Sequence, residues 1–316
     1  MTTHIIEPEA KNLHGFFSNE LPPILTIQSG DTVKYRTLDA GWNTIEQDLP
    51  FDRPRKFQPY DRDTHPGHPL SGPIAVDGAA AGMTLEVRIK NIRTGKWGWS
   101  AAGGFPSTLN MKLDLDDGPE HVFWWQLDPD AGIATDQFGH KVLLRPIIGI
   151  MGMPPPEPGT HSTFIPRFCG GNLDCKELVP GSSLFLPIPV DGALFSLGDG
   201  HAVQGDGEVA GPALECPMEL VEIEFHLHKE LHLSMPQALT PAGWITFGLH
   251  EDLNEALFIA LEEMLGLMQK SLHCERKEAL GLASLTVDFR ITQTPNLKQG
   301  VHAILSNSAL ERLKGN

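Results

Sequence analysis

Between Ser196 and Glu208 the chain runs Ser-Leu-Gly-Asp-Gly-His-Ala-Val-Gln-Gly-Asp-Gly-Glu, so that Gly198, Gly200, Gly205 and Gly207 alternate with Asp199, His201, Asp206 and Glu208. Interior glycine costs backbone entropy and leaves a strand without packing side chains, so such a run implies close backbone approach to a bound group. In extended geometry Asp199 and His201 share one face, and Asp206 and Glu208 share one beyond Gln204-Gly205. Carboxylate with imidazole suits Zn²⁺ or another divalent ion, whereas an all-oxygen set suits Ca²⁺. A glycine-rich hairpin with acids facing water is the alternative. A second cluster, Cys169-Gly170-Gly171-Asn172-Leu173-Asp174-Cys175-Lys176, makes a turn that can present backbone N–H groups and a carboxylate together. Cys175 could act as a nucleophile with its pKa lowered by Lys176, or simply be buried.

Two further polar residues stand at positions from which a ligand could project. Asp39 follows the alternating strand Val33 to Leu38, and His68 lies in the proline-pinned loop His65-Pro66-Gly67-His68-Pro69. His226-Leu227-His228 is a rival metal site, because alternate residues of a strand share a face. Its alternation with Phe225 and Leu231 also describes the polar side of a surface strand, which is the preferred alternative. No dinucleotide-binding glycine fingerprint, phosphate-binding loop, serine elbow, HExxH helix or zinc-finger spacing occurs.

The elements that must position these groups are strands. From Leu21 to about Leu233, short runs of Ile, Val, Leu and Thr are bounded by Gly, Pro and Asp. A turn glycine followed by a polar residue and an alternating strand recurs at Gly30, Gly82 and Gly181. Pro73-Ile74-Ala75-Val76-Asp77-Gly78-Ala79 is echoed by Pro187-Ile188-Pro189-Val190-Asp191-Gly192-Ala193. Either a duplicated β unit or independent selection by hairpin chemistry produces such an echo. Trp97, Trp99, Trp124 and Trp125 are read as core or strand-pairing aromatics, with an aromatic substrate wall as the alternative. After Trp244, Asp252 and Glu255 form a capping-box-like start to a helix with Leu257, Ala260, Leu261, Met264, Leu265 and Met268 at helical spacing. A second short helix is expected over 276–282 and a strand over 285–293. The predicted fold is mainly β: a β-sandwich or barrel-like body over 1–233 carrying the metal site, and a smaller α+β unit over 234–316.

Composition narrows the partners. The 316 residues include 24 Lys+Arg against 40 Asp+Glu, a formal net charge of −16, and no basic cluster occurs, so nucleic acid and anionic membranes are poor partners. A small neutral substrate or a cation suits this field. Four cysteines without a CxxC pair, no signal-like N-terminus and no long apolar run lead us to expect a soluble cytoplasmic protein.

The combination His14-Gly15-Phe16-Phe17-Ser18, Leu38-Asp39-Ala40-Gly41, His68-Pro69-Leu70-Ser71-Gly72-Pro73, Gly170-Gly171-Asn172-Leu173-Asp174 and Gly198 through Glu208 resembles the acetamidase/formamidase family, in order from about His14 to His302. The resemblance implies hydrolysis of short aliphatic amides to carboxylate and ammonia by a mainly β homo-oligomer, a dimer first, that can bind divalent metal. An unactivated amide needs a strong nucleophile, oxyanion stabilisation and a proton for the amine. With no serine elbow, water activated by a metal is the economical nucleophile. On this basis Asp39, His68, Asp199 and His201 are assigned to the metal, zinc first, and Glu208 to acid/base work. Asp174 and Asp206 are candidates for a second cation, calcium, or for orienting the first. Asn172 and the N–H groups of Gly170 and Gly171 are oxyanion candidates, and Gln204 is a substrate contact. A cysteine-nucleophile amidase and a non-catalytic, cation-dependent β-sandwich binding module are the alternatives.

Overall fold

The computed structural model of the chain describes residues 1–44 and 54–315. Strand accounts for 39% of the chain and helix for 15%, so the mainly β expectation holds. A nine-stranded sheet runs in the order Thr3–Ile6, Thr32–Tyr35, Met218–His228, Thr84–Thr94, Ser183–Pro187, Gln237–Thr240, Gly243–His250, Gln299–Ser306 and Val287–Gln293. A six-stranded sheet faces it, ordered Gly170–Asn172, Ile147–Gly152, Phe195–His201, Leu70–Val76 and Leu13–His14, with Leu25–Ile27 also paired to Leu70–Val76. A four-stranded sheet holds Trp97–Ala102 and His121–Asp128, in which Trp99 pairs with Trp124.

Period-two patterning decides which face of each strand enters the core. Along Met218–His228, Val221, Ile223 and Phe225 are buried while Glu222, Glu224, His226 and His228 face outward. Phe225 meets Phe195 of the six-stranded sheet edge to face at 5.1 Å, a contact that ties the two layers together. The three recurrent glycines, Gly30, Gly82 and Gly181, all adopt φ near +90°, a conformation that only glycine takes at little cost. The two echoed segments pair with one another: Val76 N–H donates to Gly192 O and Gly192 N–H to Ala79 O, both at 2.9 Å. They are the places where the chain crosses between the two large sheets.

The strands after residue 233 continue the nine-stranded sheet, and the helices pack on its outer face. Asp252 caps the helix Leu253–Leu272, accepting from the N–H groups of Asn254 and Glu255. Ala256, Ala260, Met264 and Met268 form its buried stripe. The second helix runs longer than expected, Arg276–Thr286, and short helices at Thr108–Lys112 and Asn307–Leu313 escaped the sequence reading. No helix among the described residues is long and apolar enough to cross a membrane.

On the outer face His226 Nε2 meets Glu224 Oε1 at 2.6 Å and His228 Nε2 meets Glu86 Oε2 at 2.7 Å. The His-x-His pair is therefore a polar strand face with each ring given its own carboxylate. Burial alone raises Glu86, but hydrogen bonds from Arg88, His228 and Ser183 outweigh it and hold the carboxyl at about 2. Because the folded value lies below the unfolded one, this contribution to stability is full above the ordinary glutamate range and fades as pH falls towards 2. Denaturation midpoints measured from pH 5 to pH 2 should show a shallower acid loss for Glu86→Gln than for the wild type. A second test concerns helix docking. A methyl on Gly248 would collide with the Ala256 carbonyl oxygen, so Gly248→Ala should cost about 1–3 kcal/mol, read as a lowered thermal midpoint.

Candidate active site

The strand Phe195–His201 is buried along its whole length, including Asp199 and His201. Its glycines answer to protein packing. A side chain at Gly198 would strike the Pro69 carbonyl, and one at Gly200 would sit 2.8 Å from the Cys216 carbonyl oxygen. The close approach read from the sequence is thus between backbones, and it frees the other face of the strand for Asp199 and His201. Across from them, Gly149 of the strand Ile147–Gly152 also lacks a side chain for a reason. A Cβ there would lie 2.6 Å from Asp174 Oδ1, 2.6 Å from Asp199 Oδ2 and 2.9 Å from His201 Cε1.

His201 is the centre of the cluster. Its Nε2 lies 3.3 Å from Asp199 Oδ2, 3.4 Å from Glu215 Oε1 and 3.9 Å from Glu208 Oε1, with none aligned as a hydrogen bond. Its Nδ1 meets Gln204 Oε1 at 2.9 Å, while Gln204 Nε2 donates to the Asp174 carbonyl at 2.6 Å. That second bond fixes the amide so that its oxygen faces the ring, and Nδ1 must carry the proton. The lone pair of a neutral ring is then aimed at three carboxylates. Acceptors facing acceptors in a buried space require a positive charge between them, a proton or a cation.

The electrostatics agree. Burial lowers His201, but Glu215 and Asp199 outweigh it and carry the ring well above its ordinary value. Burial would raise Asp199, yet the neighbouring imidazoles of His201 and His68 hold it low. Burial, with the charge of Asp174 added, pushes Glu208 well above the carboxylate range, and burial does the same for Glu215 and Asp174. Asp174 Oδ1, Glu215 Oε2 and His201 Nε2 are all buried without hydrogen-bond partners. Among the described residues, two groups could hold a metal ion: Asp174, Asp199 and His201, and His201, Glu208 and Glu215, the ligand atoms of each lying within 4.8 Å of one another. Asp174, Asp199 and Glu208 all sit at left-handed backbone angles, φ 46°, 63° and 43°. Such conformations are uncommon for residues with a side chain, and here they turn three acids towards one point.

The structure thus brings Asp174, Asp199, His201 and Glu208 together and places Gln204 behind the imidazole. His68 lines the same pocket, its Nδ1 2.8 Å from Thr163 Oγ1, and Asn172 lines it with Oδ1 buried and unpartnered. Other residues singled out in the sequence lie elsewhere. Asp39 is buried but fully engaged, accepting from Asn43 N at 2.6 Å, Asn43 Nδ2 at 2.7 Å and Trp99 Nε1 at 2.7 Å. The carboxylate of Asp206 pairs with Lys176 at 2.7 Å and Arg290 at 3.5 Å, because the positive φ of Gly207 and Glu208 breaks the expected alternation. Gly170 and Gly171, both at φ +94°, let the turn press against the strand Ile147–Gly152, and Gly170 N–H is already given to the Arg167 carbonyl. Cys175 is fully buried, and burial pushes its thiol to about 12.

Glu215 was not read from the sequence, nor was Gly149. Their signals were faint: an acid between Leu214 and Cys216 in an apolar stretch, and a glycine inside a run of isoleucines.

The model of the acetamidase/formamidase family matches residues 2–163 and 157–243. An acetamidase of Mycolicibacterium smegmatis is 30% identical over 260 residues, covering 59% of this chain and 63% of that protein. The chain spans about three fifths of the length of the curated relatives it matches. Among solved structures, a predicted acetamidase/formamidase from Thermoanaerobacter tengcongensis is 28% identical with TM-score 0.84, covering 99% of this chain and 98% of that one. An acetamidase from Bacillus halodurans is 28% identical with TM-score 0.83, covering 98% and 99%.

The space opposite Gly149 gives a direct test of the cation cradle. Gly149→Ala should leave the circular dichroism spectrum unchanged while divalent-ion uptake in equilibrium dialysis weakens by roughly ten- to a hundredfold, the range typical of disturbed metal surroundings.

Proposed function

Because the chain belongs to the acetamidase/formamidase family, we propose that it hydrolyses small amides to carboxylate and ammonia at the His201 cluster. The observation that carries this is the unpartnered Nε2 of His201 set among Asp199, Glu208 and Glu215, beside a pocket lined by Asn172 and His68. The orphaned oxygens of Asp174 and Glu215 and the side-chain-free space at Gly149 fit a divalent ion. Asp174, Asp199 and His201, whose ligand atoms lie within 4.8 Å of one another, would hold it with Glu215 on the other side of the imidazole, and a mixed imidazole–carboxylate set suits zinc. Such an ion, when bound, supplies Lewis-acid polarisation and lowers the pKa of water.

The chain's own residues do the rest. Gln204 keeps the His201 ring in one tautomer and one orientation. Asn172 presents a buried amide to the pocket, where it can pair with the substrate amide. Glu208 is the farthest of the three acids from His201 Nε2, and its environment favours the protonated form. In that form it can give its proton to the departing nitrogen, and the carboxylate so formed can take one from water. Asp39, by gripping Trp99 and Asn43, shapes the pocket wall, which we prefer to a ligand role. All four cysteines are free thiols, which suits a reducing, cytoplasmic compartment.

Acetamide, formamide and propionamide should release ammonia, and chelation should abolish the release until a divalent ion is restored. Glu208→Gln should retain metal while kcat falls ~10²–10⁴-fold, as expected for a lost proton carrier. Cys175→Ala should keep most of the activity. Metal content and kcat measured on the same preparations decide these points, and full activity in metal-free protein would sink the metal-dependent mechanism.

A further inference from the structure

The acid–imidazole cluster borders a pocket of about 460 Å³. A short amide does not fill it. At roughly the 30 Å³ that each water takes in the liquid, the four heavy atoms of acetamide need only about 120 Å³. Five rings, Trp42, Tyr60, Trp99, Phe105 and Phe164, line the pocket together with the charged side chains of Lys56 and Glu120.

Two of these rings are fixed beside the reacting groups. Trp99 and Glu215 exchange backbone hydrogen bonds at 2.9 and 2.8 Å, so as an antiparallel pair they project side by side on one face. The Trp99 indole is held there by its bond to Asp39. On the other side Phe164 packs on His68 with ring centroids 4.3 Å apart. Trp42 donates to the Gly67 carbonyl at 2.7 Å and packs against Tyr60 at 5.1 Å, which adds two more rings to the wall. Phe105 and Phe164 remain 37% and 47% exposed, large apolar side chains left facing solvent at the pocket. Exposed rings around a concave site are an unsatisfied binding surface. The carboxylates at the cluster disfavour an anionic acyl group, and rings favour a flat, apolar one.

We propose that the preferred substrate is a primary amide whose acyl group carries an aromatic ring, an arylalkyl carboxamide, with the amide at the His201 cluster and the ring between Trp99, Phe105 and Phe164. This rests on the amidase reading and extends it to the acyl chain. The bond broken is the same C–N bond: water adds its oxygen to the acyl carbon, and nitrogen leaves as ammonia.

The test compares phenylacetamide, hexanamide and acetamide on the metal-loaded protein. Burying a ring should raise kcat/KM for phenylacetamide about ten- to a hundredfold over acetamide, with hexanamide between them. Phe105→Ala and Phe164→Ala, both at exposed positions, should each reduce the phenylacetamide-to-acetamide ratio by several-fold. If acetamide is used as well as or better than phenylacetamide, or the ratio ignores both substitutions, the aromatic acyl site is wrong while the amidase reading stands. If no amide releases ammonia, the amidase reading falls, and tryptophan fluorescence titration decides the pocket. Phenylacetamide binding at least tenfold tighter than acetamide, and weaker in Phe164→Ala, supports the aromatic site; equal or absent binding overturns it.

Discussion

Everything at the site depends on one hydrogen bond, that from His201 Nδ1 to Gln204 Oε1. It would be an ordinary buried polar contact if the other ring nitrogen had a donor to meet. Instead Nε2, itself buried, faces carboxylates of Asp199, Glu208 and Glu215 at the floor of the pocket they line. A buried constellation of this kind is stable only with positive charge in its midst. Electrostatics therefore turn a structural motif into a chemical one, because whatever supplies that charge is placed beside a pocket of substrate size.

The surrounding fold accommodates that demand in several places. Three acids accept left-handed backbone angles, and glycines at 149, 198 and 200 give up side chains so that two layers of strand can close on the cluster. Local concessions of this sort persist when surrounding packing over-determines them. Here the packing is the two-sheet core, with Phe195 and Phe225 in contact across it and Ile148, Leu197 and Ile223 fully buried around them. Asp199 stays near the imidazole on the buried strand it shares with His201, while Asp174, Glu208 and Glu215 reach it from loops that pack against that strand's surroundings.

Asp39 shows how an acid can matter without sharing the charge. Its oxygens are spent on Asn43 and Trp99, and the indole so held lines the pocket beside Glu215. The tryptophan cluster of the four-stranded sheet thus has both roles considered for it. Trp97 and Trp125 are core residues, while Trp99 pairs across the strand with Trp124 and also forms part of the wall.

The sequence by itself determined the texture of the protein. Period-two alternation and turn glycines specify strands locally, and Asp252 with the Met and Leu stripe specifies a helix, since both patterns depend on near neighbours. The motif from Gly198 to Glu208 likewise marked the site, because glycine beside acid is legible one residue at a time. Only the tertiary structure decided which acids meet. Asp206 and Glu208 are two residues apart yet point to different partners, because positive φ at Gly207 and Glu208 depends on what the loop packs against. Gly149 belongs to another strand and Glu215 to a loop that bridges to Trp99 and His201, and nothing in their flanking letters says that long-range pairing will carry them to the site. Strand order is a long-range property, whereas sequence periodicity is a local one.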